Sequence, residues 1–133
     1  MGLDQNLFRY NKIENRTIDV HNDNREEIVY WRKANQINKW FHDKYENGWE
    51  NCTYYPVSKE MLKELKEICK NVLTNPDPTY AQNNLSTQSG FFYGSIEFDI
   101  DYYDILQSTI EDLDKVLETT DFDTQQIYYW SWW

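Results

Sequence analysis

Three carboxylates in the second half of the chain have a spacing that could bind a metal. Glu97, Asp99 and Asp101 alternate with apolar residues, so an extended strand would place all three on one face, where they could hold a divalent cation. Such a site would resemble those of metal-dependent nucleases. No histidine or fourth carboxylate has the spacing expected of a further ligand. We therefore expect a charged surface leading into a helix N-terminus, with neither a cofactor nor enzymatic activity, and the three carboxylates stay weak metal candidates.

A second candidate site is the basic and aromatic run at residues 31–35. On a helix, Trp31 and Asn35 would lie one turn apart. Arg32 and Lys33 would border this apolar edge and could bind an anion or an amide. The alternative is that Trp31 belongs to the core while the two cations offset nearby acidic residues, an arrangement with little energetic consequence.

A third candidate is the segment 87–95, which is rich in hydroxyl groups, amides and aromatic rings. Thr87, Gln88 and Ser89 could hydrogen-bond a polar ligand while the aromatic residues stack on it. The segment lacks the Gly-Lys-Ser/Thr ending of a phosphate-binding loop, so it does not indicate nucleotide triphosphate hydrolysis. The two histidines and two cysteines form no recognisable catalytic triad, and we interpret the cysteines as reduced thiols.

The negative charge of the chain is confined to its second half. The segment 1–70 contains 12 basic and 12 acidic residues, which cancel. The segment 71–133 contains 11 acidic residues and one basic residue, Lys115, so it accounts for the whole net charge of −10. This balance argues against direct nucleic-acid binding and attachment to anionic lipid, and it favours basic protein surfaces or small ligands as partners. A solvated helix surface without a partner is the alternative. The predicted acidic interaction face consists of Glu111, Asp112, Asp114 and Glu118.

Hydrophobic periodicity predicts one domain, residues 1–133, with three helices and at least two strands. The helices are predicted at about 24–47, 58–73 and 101–117. The strands are predicted near 7–13 and at 91–98 and 127–133. We therefore predict an α+β fold in which a small antiparallel sheet packs against three helices. The aromatic C-terminal strand should pair within the sheet or lie in a subunit interface, so a homo-oligomer through this strand is a further expectation.

Several motifs resemble those of a widespread phage and prophage family of small cytosolic proteins. They are MGLD at 1–4, YWRKAN at 30–35, VSK at 57–59, LSTQSGFFYGS at 85–95 and YY at 128–129. The ending YWSWW at 129–133 departs from the YQSSW ending of that family. The resemblance spans nearly the whole chain and implies a phage setting, not an activity. No signal-peptide pattern or apolar stretch of membrane-spanning length is present, so we expect a cytoplasmic protein in the host cell.

A phage setting favours two binding functions. The first is inhibition of a host immune effector that handles nucleic acid, in the manner of anti-CRISPR proteins, with the acidic face docked on a basic channel. The second is a sponge for a nucleotide immune signal, in which Trp31 stacks while Arg32 and Lys33 bind phosphate. Gln88 and Ser89 would then read the polar edges of the ligand. A metal-dependent enzyme is the third and least supported function.

Overall fold

The computed structural model describes residues 3–12, 25–45, 54–87 and 97–132. Within these ranges the strands are β1 (Asp4–Asn11), β2 (Glu26–Arg32), β3 (Tyr55–Val57) and β4 (Gln125–Trp132). The helices are α1 (Asn35–Asp43), α2 (Lys59–Thr74), α3 (Pro78–Asn84) and α4 (Ile100–Thr119). The strands form a sheet of order β2-β1-β4-β3 in which neighbours are antiparallel. The predicted α+β class with a small antiparallel sheet is confirmed, with four helices in the described ranges where three were predicted.

Alternate residues of the central strands face the helices. Leu7 of β1 lies opposite both Val29 of β2 and Tyr129 of β4, and all three are buried. Phe41 of α1 stacks on Tyr129, with ring centroids 4.1 Å apart. This face of the sheet therefore carries the hydrophobic core, which continues into α2 and α4 through Leu62, Leu65, Cys69, Val72, Leu106, Leu113 and Val116.

The opposite face of the sheet is aromatic. The ring centroids of Tyr10 in β1 and Tyr128 in β4 are 5.5 Å apart, and those of Phe8 and Trp130 are 6.3 Å apart. The Arg25 guanidinium lies 4.7 Å from the centre of the Phe8 ring. Cross-strand aromatic pairs of this kind add to sheet stability beyond the backbone hydrogen bonds, so both faces of β1 contribute to the fold.

The segment predicted as one helix over residues 24–47 is a strand followed by a short helix. β2 ends at Arg32, Lys33 takes a left-handed backbone conformation with φ at 55°, and α1 begins at Asn35. The backbone N–H of Lys33 donates to the carbonyl of Leu3 at 2.7 Å. The hydrogen bond fixes the corner at which the chain leaves the sheet and turns into α1.

The helix prediction is wrong for residues 26–34 because burial there alternates. Val29 and Trp31 are buried, whereas Tyr30 and Arg32 are exposed, which is the period-two pattern of a strand with one covered face. The apolar residues of this segment also match a 3.6-residue period closely enough to be mistaken for a helix. The segment forms a strand and not a helix because it pairs with β1, and the sequence of one segment alone does not reveal such a partner.

The predicted second helix is confirmed and its end has a second role. Ser58 caps α2 by accepting a hydrogen bond from the backbone N–H of Met61 at 3.2 Å. The Asn-Pro-Asp-Pro stretch ends α2 as expected and then starts α3, which was not predicted. Asp77 accepts from the N–H of Thr79 at 3.0 Å, and Pro78 occupies the first helical position, where its missing N–H is no loss.

The third predicted helix and the C-terminal strand are also confirmed. Asp99 caps α4 by accepting from the N–H of Tyr102 at 3.2 Å. β4 lies between β1 and β3, so the aromatic strand pairs within the sheet, while a homo-oligomer stays a prediction. Of the predicted strand at 91–98, residues 91–96 lie outside the described ranges and the last two have irregular backbone. No helix within those ranges is long and apolar enough to cross a membrane.

Candidate functional site

The predicted acidic face lies mainly along the solvent side of α4. Asp104, Glu111, Asp114 and Glu118 recur at intervals of three, four or seven residues and are exposed, so they form one stripe on the helix. We call these four residues the acidic stripe. α4 contains 20 residues, which corresponds to a length of about 30 Å. Of the predicted face, Glu111, Asp114 and Glu118 therefore share one surface.

Asp112 belongs to the flank of α4. It is half-buried and lines a cleft with Arg9 and Glu26 at the base of the sheet. Burial raises the pKa of the Asp112 carboxyl, the nearby charge of Glu111 raises it further, and Lys115 lowers it. Asp112 is therefore less available to a partner than the three other predicted acidic residues.

Two lysines partly neutralise the acidic stripe. Lys66 of α2 forms an ion pair with Asp114, and the exposed Lys115 lies between Asp114 and Glu118 in sequence. Glu111 accepts a hydrogen bond from the Gln107 amide at 3.3 Å and forms no ion pair within the described ranges. Both lysines lower the negative potential along the middle of the stripe, and Lys115 lies one helical turn from both Glu111 and Glu118.

The run at residues 31–35 is divided between core and surface. Trp31 is only 4% exposed, its indole N–H donates to the Thr109 hydroxyl of α4 at 2.9 Å, and its ring lies against Phe41. Asn35 is also buried. Only Arg32 and Lys33 reach solvent. The Trp31 ring is thus part of the core and offers no free face to a ligand, which removes the stacking contact expected of a nucleotide site.

The two exposed cations lie beside the three candidate metal ligands. Arg32 and Lys33 share a cleft of about 230 Å³ with Glu97, Asp99 and Asp101, and the buried Tyr102 and Gln36 close its inner side. No sequence pattern predicted that these two groups would lie together, because they are more than 60 positions apart. Three carboxylates in the same cleft oppose the binding of a phosphate to the cations, since they place negative charge where the ligand's own charge would lie.

The three carboxylates do not share a strand face. Glu97 lies in irregular backbone, Asp99 is the N-cap of α4 and Asp101 is in its first turn. The alternating strand positions that a metal site would need do not occur, because the helix begins at Ile100, and the three carboxylates lead into a helix N-terminus as expected. No group of three or more metal-ligating side chains occurs in the described part of the chain. The observed positions are those in which carboxylates stabilise a helix dipole.

Of the polar segment 87–95, the structure describes only Thr87. Thr87 is half-buried just after α3. Near it, the Tyr102 hydroxyl of α4 donates to the Leu85 carbonyl and ties the end of α3 to the start of α4. Gln88 and Ser89 lie outside the described ranges, so their proposed ligand contacts stay predictions.

A polar network beneath α1 was not predicted at all. The Tyr129 hydroxyl donates to Gln5 Oε1 at 2.7 Å and accepts from Asn38 Nδ2 at 2.8 Å. Gln5 Nε2 in turn donates to the carbonyl of Ala34 at 2.9 Å. All four residues are buried. Glutamine and asparagine are mostly exposed in folded proteins, and only the register of β1 with β4 reveals that Gln5 and Tyr129 face the same layer.

Two groups capable of nucleophilic or acid-base chemistry are buried. The thiol of Cys69 is fully buried, and burial raises its pKa to about 12, so it is protonated and unreactive. His42 lies 3.2 Å from the Ser131 hydroxyl. Burial lowers the pKa of His42 to about 4, while the charge of Asp43 raises it. His42 and Ser131 are each 1% exposed, so this pair has no route to a substrate and serves the fold.

A group of exposed residues at one corner of the sheet was also missed. Asp4, Tyr30 and Trp132 lie together on the aromatic face, and Tyr30 and Trp132 are each half exposed. Tyr30 directly precedes the run at 31–35. Because that run was predicted to be helical, the position of Tyr30 in a strand of the sheet was not recognised. The one signal in the sequence was the β-branched and aromatic run at residues 28–31, a composition typical of strands.

Comparison with known proteins adds no relative. No family model, curated protein or solved structure matches the chain. The resemblance to a phage family therefore stays a prediction from the sequence motifs. The candidate site must be judged from its own geometry and charge.

Proposed function

We propose that this protein is a phage-encoded counter-defence protein that binds stoichiometrically, through the acidic stripe of α4, to the basic channel of a host immune effector that handles nucleic acid. The observation that carries the proposal is the alignment of Asp104, Glu111, Asp114 and Glu118 on one exposed helix face. The phage setting comes from the sequence motifs. The mode of action is that of anti-CRISPR proteins, in which a protein surface takes the place of nucleic acid.

The spacing of the stripe suits a surface built to bind phosphates. Along a helix axis, residues three or four positions apart are separated by about 4.5–6 Å, and phosphates of one DNA strand follow each other every 3.4 Å along the duplex axis. Glu111, Asp114 and Glu118 therefore present negative charges at intervals of one to two nucleotides. A rigid helix holds these charges without the ordering cost that a disordered acidic tail would incur.

Charge distribution favours this function over the nucleotide sponge. The only exposed cations of the run at 31–35, Arg32 and Lys33, share their cleft with three carboxylates, and Trp31 is in the core. A basic partner surface finds complementary charge along α4, whereas an anionic nucleotide finds like charge at its expected site. Electrostatic complementarity of this kind accelerates encounter and suppresses wrong partners.

The test is a titration of purified RNA-guided nuclease effectors with the protein, with target-DNA binding as the readout. We expect one effector to lose DNA binding at a one-to-one ratio. Raising the salt concentration from 50 to 300 mM should weaken the complex by about tenfold or more, because exposed charges beyond the Debye length are screened. The absence of inhibition across effectors of all types would overturn the proposal.

A pair of charge-reversal variants then assigns the contact to α4. The double variant Glu111→Lys/Glu118→Lys should weaken binding by at least a further factor of about ten, since it places cations opposite a basic surface. The matched control Glu27→Lys/Asp123→Lys changes the net charge equally at exposed positions outside α4. Equal loss of binding in both variants would show that total charge, not the stripe, determines the complex.

A further inference from the structure

One corner of the aromatic sheet face places a carboxylate between two exposed rings. Asp4 of β1 lies directly opposite Trp132 of β4 in the sheet register. Tyr30 of β2 lies diagonally across from Asp4, opposite Asn6, and its hydroxyl donates to Asp4 Oδ1 at 2.5 Å. Residues directly opposite on antiparallel strands have Cβ atoms about 5 Å apart, and diagonal neighbours are within reach of long side chains. The three side chains therefore form one surface group, the sheet corner.

Both rings of the sheet corner are open to solvent. Tyr30 is 50% exposed and Trp132 is 49% exposed, whereas the other large hydrophobic residues of the sheet are less exposed. Trp130, two positions earlier in β4, packs on Phe8 and Tyr54, but Trp132 makes no aromatic contact in the described part of the chain. A tryptophan so placed has a ring face available, and tryptophan and tyrosine are the residue types most often found at the energetic centres of interfaces.

The carboxylate of the sheet corner lacks a cation. Asp4 forms no ion pair within the described ranges, although Arg32 lies directly opposite it on β2. Arg32 instead lines the cleft with Glu97 and Asp101. The hydrogen bond that Tyr30 donates to Asp4 is the main cause of the raised pKa of Tyr30. This effect is expected when a phenol donates to an ionised carboxylate. Among the described residues, a negative charge flanked by two electron-rich rings thus has the Tyr30 hydroxyl as a hydrogen-bond donor and no cation in an ion pair.

We propose that Asp4, Tyr30 and Trp132 bind the guanidinium group of an arginine side chain from a protein partner. An organic cation is attracted to the face of an aromatic ring, most strongly to tryptophan, and guanidinium can stack on a ring while it donates hydrogen bonds in its plane to a carboxylate. A lysine ammonium lacks the flat surface needed to stack. This site is separate from the acidic stripe, because the sheet corner lies on the face of the sheet opposite the helices.

The test uses a probe with a single positive charge, so that it depends on neither the acidic stripe nor an effector. Nα-acetyl-arginine amide is titrated into the full chain while the indole N–H signals are followed by NMR, with Trp132 assigned by comparison with Trp132→Phe. We expect a saturable shift of the Trp132 signal. The neutral isostere Nα-acetyl-citrulline amide should bind at least about fivefold more weakly, because it keeps the shape and loses the charge.

Variants separate the sheet corner from its surroundings. Asp4→Asn should weaken the arginine probe by about fivefold or more and Trp132→Leu should abolish the saturable response, read in that variant from tyrosine ring signals. Arg32→Gln should strengthen binding, because it removes a nearby like charge, and the control Glu67→Gln, at an exposed position of α2, should leave it unchanged. The proposal is overturned by no saturable shift, by equal affinity for the citrulline probe, or by an unchanged affinity in both Asp4→Asn and Trp132→Leu.

Discussion

The segment 26–45 and helix α4 were both predicted to be amphipathic helices, but only α4 is one continuous helix. The segment 26–45 contains strand β2 followed by helix α1. In α4 the buried residues keep one helical period from Tyr102 to Val116. In the segment 26–45 the buried residues follow a period of two through β2 and a helical period only from α1 onward. A change of period within one stretch marks a boundary between elements, even where the apolar positions can be connected by a single helical stripe.

The two regions also use polar residues in opposite ways. The carboxylates of the acidic stripe on α4 are exposed to solvent, where each contributes little to stability. α1 holds Asn38 and His42 in the interior, bonded to residues of β4. Buried polar groups are costly when they lose a partner. Substitutions beneath α1 should therefore reduce stability, whereas substitutions on the acidic stripe should change binding and leave the fold intact.

The largest effect is expected at Phe41. Its ring is fully buried and stacked on Tyr129, so Phe41→Ala should lower the free energy of unfolding by about 3–5 kcal/mol. Urea unfolding followed by tryptophan fluorescence measures the change. Ile100→Ala, at a residue of α4 that is 75% exposed, is the control and should stay within about 0.5 kcal/mol. Similar costs for the two variants would contradict the assignment of stability to the α1 region.

The polar network should show the next effect. Tyr129→Phe removes the hydroxyl that joins Gln5 and Asn38, and two buried polar groups then lose a partner, at a cost of about 1–3 kcal/mol. Tyr128→Phe deletes the same atom from a half-buried neighbour on the aromatic face of β4. That variant should cost less than about 0.5 kcal/mol in the same urea assay. If Tyr128→Phe costs as much, the network has no special role.

The pH dependence of stability should carry the signature of His42. Its pKa is about 4 in the folded protein and about 6.5 when unfolded, so the unfolded chain binds a proton first as the pH falls. Stability from this group is complete above pH 6.5 and decreases down to pH 4. Between pH 7 and 5 the native protein should lose about 2 kcal/mol more than His42→Gln does.

The comparison of His42 with its variant isolates one group among many that titrate. The side chain faces Ser131, Tyr55 and Tyr129, and the neighbouring Asp43 acts in the opposite direction by raising the pKa. Carboxylates elsewhere titrate alike in both proteins and cancel in the difference. Parallel stability profiles for the two proteins, measured by urea unfolding at each pH, would refute a neutral buried histidine.

The smallest expected effect on stability is at the N-cap of α4. Asp99→Ala removes the side chain that accepts from the Tyr102 N–H and should cost about 1 kcal/mol. Asp99→Asn keeps an acceptor and loses only the charge, so it should cost a few tenths of a kcal/mol. Thermal unfolding resolves the two. A large cost for Asp99→Asn would indicate that the carboxylate does more than cap the helix.

Much of this fold could be predicted because several elements are locally determined. α2 has its Ser58 cap, a helical apolar period and a proline stop in consecutive sequence, and α4 has comparable signals. α3 was missed because its start signals, Asp77 and Pro78, coincide with the end signals of α2. β2 was missed because its identity depends on pairing with β1, a contact between residues 17 to 28 positions apart.

The candidate site was less predictable than the fold. Glu111, Asp114 and Glu118 share one exposed helix face because a helical period relates them directly, whereas Asp112, predicted with them, lies on the flank. The cleft that joins Arg32 to Glu97, and the sheet corner that joins Asp4 to Trp132, both depend on strand register and chain reversal. Contacts between residues so far apart cannot be inferred from sequence spacing. A resemblance of motifs does not show how these residues are arranged in the fold.

The most direct measurement for the proposed function is the affinity of an inhibited effector for two variants of equal net charge. Our account predicts that Glu111→Lys/Glu118→Lys weakens the complex by at least about tenfold. It predicts that Glu27→Lys/Asp123→Lys weakens the same complex by no more than about twofold, with both variants as stable as the native chain. Equal affinities for the two variants would contradict the claim that the acidic stripe of α4 is the binding surface.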